Sequence, residues 1–234
     1  MKKAVFFIVL VAITLFCIFY GTSKHVGNLK HVFKADYEEK NEVITEKNLI
    51  NETFSSFSKI DLNAAIMEVT IEEGSDFKVE GSYNKESLKP EIIVRNGTLV
   101  LTQKGTRNGS NPGINKCKVV ITLPRQAALD SVQINSNVGD IKLADFIANE
   151  IDISLNVGEI DARNVTFDKI RCANNVGKVS IKSAASIKDY EISASTDVGG
   201  VRIDGHSYKR SYNQRGKGSK RIKVDTNVGE INIR

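Results

Sequence analysis

Seven bases and no acid fall between Gly205 and Val224: Lys209, Arg210, Arg215, Lys217, Lys220, Arg221 and Lys223, with Tyr208 and Tyr212 interleaved. A cluster of this kind concentrates positive potential and attracts polyanions. The formal net charge of +5 belongs to it and to Lys2 and Lys3; with those nine bases set aside, 24 bases face 28 acids. The basicity is therefore local, and the body of the chain carries no nucleic-acid footprint. Asp152 and Asp161 are the carboxylates that a glycoside-cleaving pair would draw on, since such chemistry needs two acids flanking one sugar bond. Three histidines, His25, His31 and His206, have no cysteine or histidine at metal-ligand spacing. No Ser-His-Asp or Cys-His set and no phosphate-cradling glycine loop is evident. The sequence implies neither metal nor cofactor.

The elements that must carry these groups are written in a repeated tripeptide. Asn-Val-Gly stands at 137–139, 156–158, 175–177 and 227–229, with Asp197-Val198-Gly199 as a variant. The first three copies lie 19 residues apart, and the later intervals are 22 and 30. Around each copy hydrophobicity alternates with period two: Val132-Gln133-Ile134 then Ile141-Lys142-Leu143, Ile151-Asp152-Ile153 then Ile160-Asp161-Ala162, and Ile170-Arg171-Cys172 then Val179-Ser180-Ile181. Tyr190-Glu191-Ile192 with Val201-Arg202-Ile203, and Ile222-Lys223-Val224 with Ile231-Asn232-Ile233, complete the set. Each unit reads as strand, corner, strand and return loop, with first and third members inward. One unit cannot cover its own apolar face, whereas stacked units share an interior.

The chain is therefore expected to be all-β, a β-solenoid of ~20-residue coils with parallel ladders ~4.8 Å apart. Gly139, Gly158, Gly177, Gly199 and Gly229 are expected to take positive φ at the corners, with the valines before them plugging each corner from inside. Asn137, Asn156, Asn175 and Asn227 should form a stacked amide ladder, with Asp197 accepting in the same way. Residues 59–69 look like a worn copy, with Asn63-Ala64-Ala65 at its corner. Arg95-Asn96-Gly97-Thr98 predicts a type I′ hairpin in the N-terminal part. Residues 103–116 read as a polar loop.

Outward positions include Lys142, Asp161, Ser180, Arg202 and Asn232 in one column and Gln133, Asp152, Arg171, Glu191 and Lys223 in another. Such columns mix signs, as solvated ladders do. The residue after each corner glycine changes sign, from Asp140 and Glu159 to Lys178, which excludes a repeated calcium site. Cys117 and Cys172 fall among inward apolar positions; burial as small hydrophobes accounts for them, and a disulfide between them is allowed outside the cell.

Residues 4–23 form an uncharged, largely apolar run behind Lys2 and Lys3. Its length reaches the ~30 Å hydrocarbon thickness, and the lysines leave residues 1–3 in the cytoplasm. An uncleaved single-pass signal-anchor in the lipid bilayer and a signal cleaved near Gly21-Thr22-Ser23 both fit. Residues 24–53 read as a polar stalk, and 54–234 as the extracytoplasmic domain. The final strand, Glu230–Arg234, is expected to end the stack as an open edge, where a protein partner or second copy could pair.

The succession Thr122-Leu123-Pro124, the stretch to Leu129, Val132-Gln133-Ile134 and the Gly-[Asp/Glu/Lys]-[Ile/Val] corners resembles the bacterial putative-adhesin family, also called toastrack domains, over roughly residues 54–234. The resemblance implies an extracytoplasmic β-solenoid, often membrane-tethered and in some cases accompanying envelope-stress signalling. It transfers no binding residues. The expected role is a binding or scaffold module at the cell envelope without turnover, with the basic cluster meeting an anionic envelope polymer. The alternative is a carbohydrate-active enzyme on the same scaffold.

Overall fold

A computed structural model describes residues 48–104 and 115–234. The apolar run at 4–23, the stalk up to residue 47 and most of the polar loop lie outside the described residues. Among those described, no helix is long and apolar enough to cross a membrane.

Alternating burial produces strands almost throughout. Two parallel ladders run side by side, and β11 (Ile160–Val176) passes through both. In the first, the parallel order is β6 (Thr98–Thr102), β2 (Lys59–Ile66), β8 (Ala128–Val138), β10 (Ile147–Val157), β11, β17 (Arg221–Val228) and β13 (Glu191–Val198). In the second it is β7 (Cys117–Pro124), β3 (Glu68–Gly74), β9 (Ile141–Ala144), β11, β12 (Val179–Ser183), β18 (Ile231–Ile233) and β14 (Val201–Ile203). Each rung takes one strand from each ladder. The inward side chains of both form one core, from Ile60 and Leu62 through Ile153 and Ile181 to Ile203 and Ile233. Every first and third member of the strand triplets is buried, as the periodicity predicts.

The rungs do not stack in chain order. Residues 59–74 insert between the rungs of 98–124 and 128–144, and residues 221–233 insert between those of 169–183 and 191–203. The widened corner intervals therefore have a topological cause: the chain must pass the end of the stack, cap it and return one rung. The expected open edge at Glu230–Arg234 is overturned, because β18 lies between β12 and β14.

Antiparallel strands close the ends instead. At one end β5 (Glu91–Arg95) lies on β6, joined through Asn96 and Gly97 at φ 51° and 72°, the type I′ turn read from the sequence. Beside it β4 (Phe77–Tyr83) lies on β7 and β1 (Leu49–Phe54) on β4, so the folded region begins before residue 54. At the other end β15 (His206–Tyr208) covers β14 and β16 (Ser211–Gln214) covers β13. A glutamine ties each end. Gln103 Nε2 donates to Leu88 O at 2.7 Å while its Oε1 accepts from the Ile66 amide at 2.7 Å. Gln214 Nε2 donates to Tyr190 O at 3.0 Å and Ile187 O at 3.2 Å.

The corner glycines fix how closely rungs approach. Gly139, Gly158, Gly177, Gly199 and Gly229 have φ between 137° and 155°. A Cβ on Gly158 would lie 1.9 Å from Gly139 O, and one on Gly177 1.8 Å from Gly158 O. Conformation and contact thus both exclude a side chain. Gly158→Ala is expected to cost about 3 kcal/mol or more in urea denaturation, because strain and clash add. Gly218→Ala, where nothing lies within 4 Å, should stay within about 0.5 kcal/mol; equal effects would remove the argument.

Candidate functional site

The corner asparagines make the expected ladder. Asn156 Nδ2 donates to Asn137 Oδ1 at 2.9 Å, Asn175 to Asn156 at 2.8 Å and Asn227 to Asn175 at 3.1 Å. Polarity keeps Asp197 out of the row. It lies opposite Asn227 in the end rung, where the next member would donate downward, and a carboxylate has no proton to give. No ladder bond joins Asp197 to Asn227, so the expectation that Asp197 accepts in the row is corrected.

The valines also differ from expectation. Val138, Val157, Val176, Val228 and Val198 are 44%, 47%, 46%, 44% and 61% exposed, and form a ridge along the outside of the corner. The inner lining comes from the residues two positions earlier: Ser136, Leu155, Asn174, Thr226 and Thr196, all buried. Two of these bond to the corner backbone: Asn174 Nδ2 donates to Gly158 O at 2.9 Å and Thr196 Oγ1 to Gly229 O at 3.1 Å. Valine keeps the ridge extended and is half-covered by its neighbours in the stack. The worn copy is a true rung, but its corner is Ile66-Met67: Ile66 pairs with Val138, and the Gly139 approach is to Met67 O.

The second corner went unread in the sequence. Asp145, Asn164 and Asp204 sit there in the left-handed region at φ 57°, 54° and 48°, and Asn164 Nδ2 donates to Asp145 Oδ1 at 2.6 Å. The 19-residue spacing of Asp145 and Asn164 was a signal for it.

The seven bases divide between two settings. Arg221 and Lys223 are on β17 inside the first ladder, where Arg221 meets Glu191 at 3.0 Å and Lys223 meets Asp225 at 3.6 Å. Lys220 lies 5.5 Å from the Tyr190 ring centre. Lys209 and Arg210 stand where the chain passes from β15 to β16, strands that cap different ladders, and Arg215 and Lys217 in the segment after β16. These four are exposed and have no ion pair among the described residues. Tyr208 and Tyr212 pack with ring centres 4.6 Å apart, joining the two capping strands on the end of the stack.

Acids do not converge. Asp152 is on the first ladder and Asp161 on the second, where Asp161 pairs with Arg163, so they do not share a face. Other outward charges pair between rungs, as Lys169 does with Glu150 at 2.7 Å. Among the described residues no group of three metal-ligating side chains meets. Cys117 and Cys172 are buried and free, not joined to each other. Burial pushes the Cys117 thiol from the ordinary 9.0 up to about 11, against a smaller lowering by Gln103, and burial raises Cys172 also.

Two parallel ladders with capped ends and an asparagine-glycine corner define a coil of stacked repeats. The chain belongs to the Toastrack DUF4097 family, whose model matches residues 57–198 and again 139–234. The overlap of the two matches is what a stack of similar rungs produces. The structure is similar to that of a "putative cell adhesion protein" from Clostridium sporogenes ATCC 15579, with TM-score 0.64 and 22% identity over 79% of this chain and 97% of that one. A "putative adhesin" from Parabacteroides merdae ATCC 43184 aligns at TM-score 0.40 and 13% identity over 80% and 82% of the two chains. Comparison with curated proteins finds no match.

Two outcomes follow for this geometry. Val157→Ser should change stability by no more than about 0.5 kcal/mol, where an inward plug would cost ~2 kcal/mol or more. The raised thiol makes the folded state hold its proton more tightly than the unfolded chain. Stability should therefore be intact below pH 9 and fall as pH rises toward about 11. A Cys117→Ala, Cys172→Ala variant should lose less over that window in thermal melts, and an identical fall would exclude the thiols as its cause.

Proposed function

We propose that this protein is a membrane-anchored, extracytoplasmic binding and scaffold module of the bacterial cell envelope, serving surface attachment or envelope-stress sensing. The observation that carries this reading is the capped end of the stack, where Lys209, Arg210, Arg215 and Lys217 are exposed and unmatched by acids among the described residues. Elsewhere on the ladders several outward charges pair, as Lys169 does with Glu150 and Arg221 with Glu191. Four cations on the capping segment at the end of the stack can meet an extended polyanion without the coil itself deforming. Outside a bacterial cell the abundant polyanions are wall and lipid phosphates.

The apolar run behind Lys2 and Lys3 supports anchoring, and the resemblance of the coil to a structure described in terms of cell adhesion supports surface attachment. The scatter of acids over two faces supports binding without turnover.

Residues 48–234 added to isolated envelopes should be retained, with retention falling as salt rises. Replacing Lys209, Arg210, Arg215 and Lys217 with glutamine should weaken it about tenfold or more, at up to ~1 kcal/mol per base. Arg221→Gln, which alters a ladder ion pair, should have a smaller effect. Retention unchanged by the fourfold variant would defeat the assignment.

A further inference from the structure

The Asn ladder starts above a gap. In the rung beneath Asn137 the aligned residue is Ala65, next to Ala64 opposite Ser136. Without a side-chain amide there, an open notch of about 350 Å³ forms, lined by Asn63, Gln103, Asn135, Asn137, Ser154 and Asn156 over a floor of Ala64, Ala65 and Ser136. Its size falls in the range of small-molecule sites.

Three features distinguish the notch from the rest of the surface. Its lining holds no ionisable side chain, whereas ion pairs stand elsewhere on the ladders. Its polar groups are also incompletely used. Asn137 Oδ1 accepts from Asn156, but its amide group, first in a row of downward donors, has no acceptor below it. Asn135 donates to Asn63 Oδ1 at 3.3 Å and leaves its own Oδ1 open, and Ser154 makes no side-chain bond among the described residues. The third feature is Ser136, 6% exposed, whose Oγ has no partner. Among the described residues three buried side-chain atoms are orphaned, on Ser136, Asn174 and Thr226, all in the inner corner column, and only the Ser136 position borders the notch. Its hydroxyl is closed off from solvent beneath the floor, and leaving it unpartnered costs on the order of 1–3 kcal/mol.

We propose that this notch binds a neutral glycan, separately from the basic capping segment. Fixed amides and hydroxyls offer donors and acceptors side by side, the complement of hydroxyls on adjacent sugar carbons. The missing charge disfavours phosphate, carboxylate or ammonium, since none would find a counter-charge to offset its desolvation. From the notch the row of Asn137, Asn156 and Asn175 continues at ~4.8 Å per rung beside the valine ridge, a track of alternating amide and methyl groups for the polar edges and C–H faces of further sugar units. The notch holds no aromatic platform and is open to solvent, so binding is weak, with Kd on the order of 1 mM for a short chain.

The test uses the full-length protein in lipid nanodiscs, with asparagine side-chain amides followed by NMR. Probes are the tetramer of β-1,4-linked N-acetylglucosamine, cellotetraose, tetragalacturonate and a capped tri-alanine peptide. One or both neutral tetramers should shift the Asn137 and Asn156 amide signals, to the same extent at about 50 and 300 mM salt. Asn137→Ala should weaken the response about tenfold. Asn227→Ala removes a ladder amide remote from the notch at a similar structural cost and should leave the response intact. Silence with both neutral tetramers, an equal or stronger response to tetragalacturonate or the peptide, or equal loss in the two variants would overturn the proposal. The fourfold glutamine variant of the basic capping segment should bind the tetramers normally, so failure here and failure of envelope retention are read separately.

Discussion

The approach of each corner glycine to the carbonyl of the residue beneath it is the constraint on which the rest depends. It holds successive rungs at strand-pairing distance where the chain changes direction, the place where a ladder would otherwise open. Gly139, Gly158, Gly177 and Gly229 each donate an amide N–H to a valine carbonyl of the next rung, from 2.9 to 3.1 Å, so the ladder continues round the bend. With spacing fixed there, the asparagines fall within reach of each other, the valines align on the outer edge and the isoleucines on either side meet across one core. Lose the contact and those alignments go together.

The amide row has a direction and a definite end. Each member donates to the one below, and a carboxylate in the topmost place has no proton to donate. The row therefore stops at Asn227, and the rung of Asp197 lies beyond it unjoined by a ladder bond, although 221–233 follows it in the chain. Alanine in place of asparagine at position 65 marks the opposite terminus, where the row begins. Between these markers the three central rungs, spaced by 19 residues, are interchangeable in form, and the irregular segments collect at the ends as caps. A parallel stack without caps would offer unpaired strand edges to any neighbouring chain; here β1, β5, β15 and β16 take those positions as short antiparallel strands.

Much of this was legible. Period-two hydrophobicity and the recurrent tripeptide sufficed for the all-β coil, the inward triplets, the glycine conformation and the amide row, because each follows from local backbone chemistry repeated at fixed intervals. What escaped was set by partners distant in sequence. Nothing near Glu230 shows that β18 will be sandwiched between β12 and β14, and the interval of 30 residues before the last corner reads equally as a bulge on a regular stack. The valines were misassigned because alternation breaks at the corner: Asn156 and Val157 both face out between buried Leu155 and Ile160. The basic cluster read as a single patch, yet two of its members belong to a paired strand. The notch was invisible for a related reason, being made by Ala64-Ala65 against residues far along the chain, from Gln103 to Asn156.

The late insertion of residues 221–233 bears on biosynthesis. As the chain emerges from the ribosome, the rung of 191–203 is complete before its lower neighbour exists, and it can dock in its final place only once the following segment has been made and slid beneath it. A product truncated before residue 221 lacks a middle layer, not a dispensable tail. Premature termination would thus leave apolar Ile192, Ala194 and Val201 without their seat, marking the fragment for quality-control proteases.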